Sequence, residues 1–294
     1  MMRAMACAVL CLCLAAAEAG AKGPKVFISV DMEGISGVVN TEQTGGSEFA
    51  TARKWMADDV NAAVQGALDA GADEVVVVDA HGNGSNMLPS DLHPAVHLIS
   101  GSSGLDGMMQ GIDKSFDAAM FVGYHAAAGT RDGVLDHTSS GSRILMTRVN
   151  GVEEPELGLS GLVAGAFGVP VVLVTGDKAV CEQARRILGE KVAVAQVKEG
   201  IGRYSAKLLP FPRSRALIRD AARQGLSRRR EIAPYALKAP YAFEVTFFRA
   251  AMADNAMLLP GLERVGPREV RFRAPDPLSG FRLYRAVYRL GTDD

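Results

Sequence analysis

An α/β fold is what this 294-residue chain predicts: a mainly parallel sheet with flanking helices in three layers, followed by a smaller C-terminal α+β domain. Three observations lead there. Short apolar, β-branched runs alternate with helical patterns along most of the chain. Several of those runs are apolar throughout, as strands buried on both faces are. The pattern then changes near Pro234, where alternating, half-wet sequence begins.

The first residues stand apart. Arg3 precedes the apolar run "MACAVLCLCLAAA", which is shorter than the roughly 20 residues a bilayer span needs. Ala17-Glu18-Ala19 then supplies small residues at cleavage offsets. Residues 1–19 therefore read as a signal peptide cut near Ala19, which sends the protein to the periplasm or the medium. Cys7, Cys11 and Cys13 fall inside it, so a mature chain keeps Cys181 alone and has no internal disulfide framework.

The main α/β domain is expected over 24–234. "KVFISV" is its first strand. "SEFATARKWMADDVNAAVQGALDAGA" is its first long helix: Phe49, Ala52, Met56, Val60, Ala63, Val64, Ala67 and Leu68 recur at three-to-four spacing, and Gly71 closes it. Trp55 and Met56 on that helix read as packing residues. "DEVVVVDA", "AAMFVGY", "SRILMTRV", "VPVVLVTG" and "EKVAVAQV" are further strands, and strand–helix–strand order argues for right-handed crossovers. "DKAVCEQARRILG" reads as an amphipathic helix with Cys181 as a buried structural thiol. "RQGLSRRRE" reads as a solvated helix end or loop. The smaller domain, 235–294, reads as strand ("YAFEVTFFRA"), helix ("ADNAMLLPGLERVG"), turn, then a strand and helix in "REVRFRAPDPLSGFRLYRAVYRL". Alternation in "EVRFRA" implies a sheet with one wet face.

Charge excludes some functions. Lys and Arg total 32 against 33 Asp and Glu, a formal net charge of -1, so nothing favours nucleic acid or an anionic membrane, and no membrane association is expected after signal cleavage.

Ligands in open parallel sheets bind beyond the carboxyl ends of the strands. The first strand runs into Asp31 and Glu33, the second into Asp79 and His81, and the next into His125; His137 follows in "VLDHTSSG". Like charge and lost hydration would make two such carboxylates costly in a cleft, and a divalent cation removes both problems. Mixed imidazole and carboxylate donors suit zinc ahead of manganese or another transition ion. Residues i and i+2 of a strand face one way, so Asp31 and Glu33 can share one centre, or Asp31 can bridge two. "HGNGSN" and "SGSSGLDG" match no phosphate-binding fingerprint and read as turns. His93 and His97 read as structural, and "TSSGS" is no nucleophile elbow.

With "SVDMEGISG", "DAHGN", "GYHA", "DHT" and "PELGL" in order, the chain resembles the zinc-dependent D-aminopeptidase family of DppA-like metallopeptidases, from about Lys25 into "MLLPGLERVGPREVRFRAPDPLSGFRLYRA". The resemblance implies two zinc ions per subunit, with Asp31, Glu33, His81, His125 and Glu156 as ligands and Asp31 bridging. It implies His137 as the catalytic histidine. By residue type alone, Glu156 reads as a first-turn helix residue. The family also implies a short peptide substrate and a homo-oligomeric ring, with a decamer as one expected size. Two positions depart from the family pattern: Pro155 where glycine is usual, and Thr138 where serine is usual. The expected function is an exported metallo-aminopeptidase that removes the N-terminal residue, expected to be a D-amino acid, from short peptides or aminoacyl amides. Two rivals stay open: a non-catalytic exported metal or peptide carrier, and a metal-dependent hydrolase of other amides or esters.

Overall fold

The computed structural model describes residues 22–101 and 104–293, so the expected signal peptide, residues 1–19, lies outside the described residues. In chain order the elements are β1 (Lys25–Val30), α1 (Thr41–Thr44), α2 (Phe49–Asp69), β2 (Glu74–Asp79), β3 (Val96–Ile99), β4 (Ala118–Tyr124), β5 (Ile144–Val149) and β6 (Val152–Glu153). They continue as α3 (Glu156–Ala166), β7 (Val171–Asp177), α4 (Lys178–Leu188), β8 (Ala193–Gly202), β9 (Ser205–Leu208) and α5 (Phe211–Ser227). The chain ends with β10 (Tyr241–Phe247), α6 (Ala250–Ala256), β11 (Glu263–Gly266), β12 (Glu269–Ala274) and α7 (Pro277–Leu290).

Seven strands form one sheet in the order β3-β2-β1-β4-β7-β8-β9, parallel from β3 through β8 and closed by antiparallel β9. The order grows one way from β1 through β2 and β3, and the other way from β4. The reversal lies between β1 and β4, and a sheet of this kind opens a crevice at the carboxyl ends there.

Side chains alternate across this sheet and divide the core into two layers. Val26, Ile28 and Val30 of β1 pack with Met56, Val60 and Val64 of α2 and Ile218 and Ala222 of α5. Phe27 and Phe121 point the opposite way, into a layer shared with α3, α4 and the second sheet. The α2 residues at three-to-four spacing are its buried stripe, and Trp55 packs on Phe211 with ring centroids 5.3 Å apart. Cys181 is buried in α4, where loss of hydration pushes its thiol up to about 12; it acts as a packing residue.

The second sheet, in the order β11-β12-β10-β5-β6, is antiparallel. Val270, Phe272 and Ala274 of β12 face inward while their neighbours are wetter, which is the one-faced sheet the alternation implied. Two details differ from the sequence reading. The strand in "SRILMTRV" joins this second sheet, antiparallel to β10, instead of extending the parallel one. The helix in "ADNAMLLPGLERVG" stops at Ala256: Pro260-Gly261 makes a turn, and Glu263–Gly266 pairs with β12 as β11. Among the described residues, no helix is long and apolar enough to cross a membrane.

Candidate metal centre

Beyond the β1 and β4 ends, five of the six expected site residues meet around Asp31, and the sixth, His137, stacks against the cluster. The chain leaves β1 still tied to β4: the Asp31 N–H donates to Val122 O at 2.9 Å and the Gly34 N–H to Gly123 O at 2.8 Å. Lys198, fully buried, donates from Nζ to the carbonyls of Glu33, Ile35 and Val38 at 2.6, 2.9 and 2.6 Å. Burial pulls its pKa down to about 8, opposed by Asp177, Asp59 and Glu33. Lys198 therefore remains an ammonium at neutral pH, with three carbonyl acceptors for its three protons.

His81, past the end of β2, donates from Nε2 to Thr44 O at 2.9 Å. That fixes its Nδ1 toward the carboxylates, 3.1 Å from both Asp31 Oδ1 and Glu33 Oε2. His125, past the end of β4, donates from Nδ1 to Ala126 O at 3.0 Å. Its Nε2 is buried, lies 3.3 Å from Asp31 Oδ2 and 3.4 Å from Glu156 Oε1, and has no hydrogen-bond partner. Asp31 thus turns one oxygen to each histidine. Glu156 is the first residue of α3 and accepts from the Ser139 N–H at 2.5 Å, so its first-turn position and its place in the cluster coincide.

His137 donates from Nδ1 to Leu135 O at 2.9 Å, and its Nε2 lies 3.6 Å from Glu156 Oε1. Its ring stacks on His125 with centroids 3.9 Å apart. The loop that carries it is pinned on two sides: Arg203 pairs with Asp136, and the Val134 N–H donates to Asp177 at 2.7 Å.

The electrostatics call for positive charge. Burial raises the pKa values of Asp31 and Glu156, but the facing histidines outweigh it and hold both below the ordinary carboxylate range. Glu33, also raised by burial and by Asp31, is brought low by His81. Burial lowers the pKa of His81 and His125, and the facing carboxylates more than reverse it. Three buried carboxylates and inward-facing imidazoles are a donor set that a divalent cation satisfies.

Among the described residues, two groups have donor atoms all within 4.8 Å of one another: Asp31, Glu33 and His125; and His125, His137 and Glu156. His125, whose buried Nε2 is unpartnered, is common to both. A metal fits these residues.

Asp79, also at a strand end, stays out of the cluster. Its carboxylate accepts from the backbone N–H groups of Asn86 and Met87 and from the Asn86 side chain, and so shapes the loop behind His81. His97 lies on edge strand β3, and His93 accepts from the Ala95 N–H; both are away from the site.

A cavity of about 210 Å³ opens over the carboxylates. Its far wall comes from α7: Phe281, Tyr284, Arg285 and Tyr288, with Met108 and Leu159 beside them. The Tyr284 hydroxyl donates to Ser139 Oγ at 2.7 Å and so links α7 to the loop after His137. Sequence reasoning missed this wall. Its signal is the spacing of residues 281, 284, 285 and 288, which shares one helix face.

The profile of peptidase family M55, D-aminopeptidase, matches residues 25–286. The D-aminopeptidase of Bacillus subtilis (strain 168) is 33% identical over 272 residues, spanning 90% of this chain and 97% of the relative. A solved structure of the Zn-dependent D-aminopeptidase DppA from Bacillus subtilis, called a self-compartmentalizing protease, superposes with a TM-score of 0.88 at 31% identity. That match covers 91% of this chain and 97% of the other.

Proposed function

Because the chain belongs to the D-aminopeptidase family M55, we propose that it is an exported two-zinc aminopeptidase that removes the N-terminal residue, a D-amino acid, from short peptides or aminoacyl amides. The observation that carries this is the buried Nε2 of His125, held without a hydrogen bond between Asp31 and Glu156. A nitrogen so placed is a ligand in search of a cation.

Asp31, Glu33, His81, His125 and Glu156 would hold the zinc ions. Zinc, when bound, supplies Lewis acidity that polarises a carbonyl and makes water a better nucleophile near neutral pH. The protein's own groups do the rest. His137 keeps Nδ1–H on Leu135 O, so Nε2 is the atom free to take a proton from the attacking water and pass it to the departing amine. The same cluster would take the substrate's free N-terminal amine in its neutral form, which restricts cleavage to the chain end. The stacked His125 ring and the Leu135 carbonyl fix the His137 plane during that transfer.

Export rests on residues 1–19, read as a signal peptide cut near Ala19, which directs the protein to the periplasm or medium; N-terminal sequencing of the mature protein checks it. A homo-oligomer is supported by the likeness to a relative called self-compartmentalizing; a ring, with a decamer as one expected size, is checked by light scattering.

The deciding experiment is a panel of D- and L-aminoacyl amides and short peptides, run with zinc and with chelator, alongside metal analysis. Zinc-dependent release of N-terminal D-residues is expected. Tight zinc binding with no turnover on any substrate would convert the protein into a carrier, and turnover of other amides or esters alone would assign a different hydrolase.

A further inference from the structure

A charge outside the donor cluster grips the turn that carries Asp31 and Glu33. In the sheet, β8 is separated from β1 by β4 and β7, yet Lys198 of β8 reaches the turn after β1 and is 1% exposed. Its three protons go to the carbonyls of Glu33, Ile35 and Val38. Glu33 thus serves two partners: its carbonyl accepts from the ammonium, and its carboxylate faces His81 Nδ1. Asp59 and Asp177 lend Lys198 opposite charge, and each also holds backbone near the site. Asp59 accepts from the Ser36 N–H at 2.8 Å, inside the same turn. Asp177 stands opposite Lys198 in the β7–β8 ladder and accepts from the Val134 N–H at 2.7 Å, in the loop that carries His137.

We propose that Lys198 is a positioning residue that preforms the metal centre: its ammonium holds the β1 turn, and with it Asp31 and Glu33, in the ligating arrangement before any metal enters. The inference rests on the metal-centre reading above and goes beyond the ligands to what assembles them. Carbonyls that converge on one point repel one another unless a cation or a set of donors lies between them, and an ammonium is both, a compact charge with three N–H donors. Asp31, Glu33 and Glu156 are buried carboxylates that repel one another in turn. A fixed positive charge on the backbone of the turn offsets that repulsion without occupying the place of a metal. A turn left loose would have to be ordered as metal binds, at a cost in affinity; a turn already held avoids that cost.

The test is amide hydrogen exchange on the whole protein, zinc-loaded and stripped with a chelator, together with zinc titration. Gly34, Ile35, Ser36 and Val38 all donate backbone hydrogen bonds from the turn. In wild type their exchange without zinc should stay within about threefold of the loaded rate. Exchange that slows tenfold or more only on adding zinc would overturn the proposal, because metal would then be what orders the turn; this arm needs no variant. Lys198→Met keeps the stem and loses charge and donors. Without zinc it should speed exchange at these four amides at least about tenfold while the paired amides of β10 exchange as in wild type. It should also weaken zinc binding by about 10–100-fold, and Lys198→Gln, which keeps a donor without the charge, should fall between. An equal rise at β10 would make Lys198 a general stabiliser and overturn the proposal, as would a Lys198→Met protein that binds zinc within threefold of wild type. A wild type that binds no zinc would overturn the metal centre itself, an outcome distinct from either.

Discussion

Gly34 offers the sharpest test of how the donors are assembled. A Cβ added there would lie 2.5 Å from the carbonyl carbon of Gly123 and closer still to the carbonyl oxygen of Tyr124, where real Cβ atoms stay beyond 3.0 Å. Both neighbours are backbone of β4, held by its ladder on either side, so neither can swing away as a flexible side chain would. In Gly34→Ala the turn after β1 must therefore back off from the end of β4 by about 0.5 Å or more. Glu33 precedes the substituted residue and His125 follows Tyr124, so the shift separates two donors of one cluster. Metal–ligand distances tolerate only about 0.2 Å, and a misplacement approaching 1 Å is worth about 100-fold in rate. Zinc affinity, measured by competition with a chromophoric chelator, should weaken at least about tenfold, and kcat/KM should fall by about 100-fold. Circular dichroism should still report the α/β fold. A Gly34→Ala protein that binds zinc within threefold of wild type at unchanged kcat would refute the reasoning, because it would mean the site does not need the β1 turn pressed against β4.

Other substitutions separate the roles. His137→Ala should keep its zinc by metal analysis and lose about 100-fold or more in turnover, since it removes the proton relay and leaves the proposed ligands in place. His125→Ala should lose metal outright, and a variant with normal zinc content would remove the residue on which the ligand set turns. Asp59, buried under the β1 turn and bonded to the Ser36 N–H at 2.8 Å, is pushed up to about 6 by loss of hydration. A carboxyl with a raised folded-state pKa holds its proton better folded than unfolded, so its contribution to stability is lost as pH rises from 3.8 through about 6. That shift of about two units corresponds to about 3 kcal/mol. Asp59→Asn should raise the melting temperature above pH 6 and do little near pH 4; an equal change at both pH values would show that the carboxyl titrates normally.

Most of the cluster was legible because strand ends in a parallel sheet converge. Asp31, His81 and His125 follow β1, β2 and β4, which are neighbours in the sheet, and a run of valines or a "VGY" pattern announces each strand well. Glu156 was legible only through family resemblance. Its position at the start of a helix is also where an acidic residue serves the helix itself, and the two roles leave the same trace in sequence. The α7 wall was missed because nothing local tells an amphipathic helix which neighbour its face meets. The placement of β5 was missed for a related reason. Its burial alternates imperfectly, and pairing with β10, about a hundred residues later, is decided by tertiary docking that no local pattern records.

That placement of β5 has an architectural consequence. The chain lends two strands, β5 and β6, to the distal sheet before it has finished the proximal one, then returns through α3 to lay down β7. The two halves are threaded like clasped hands. Shortening the polypeptide ahead of β10 would orphan β5, with Ile144 and Val149 stripped of their cover, and would unroof the cavity in the same stroke. Recombination that swaps modules end to end would part β5 from β10, so a cut between the two sheets cannot leave both whole.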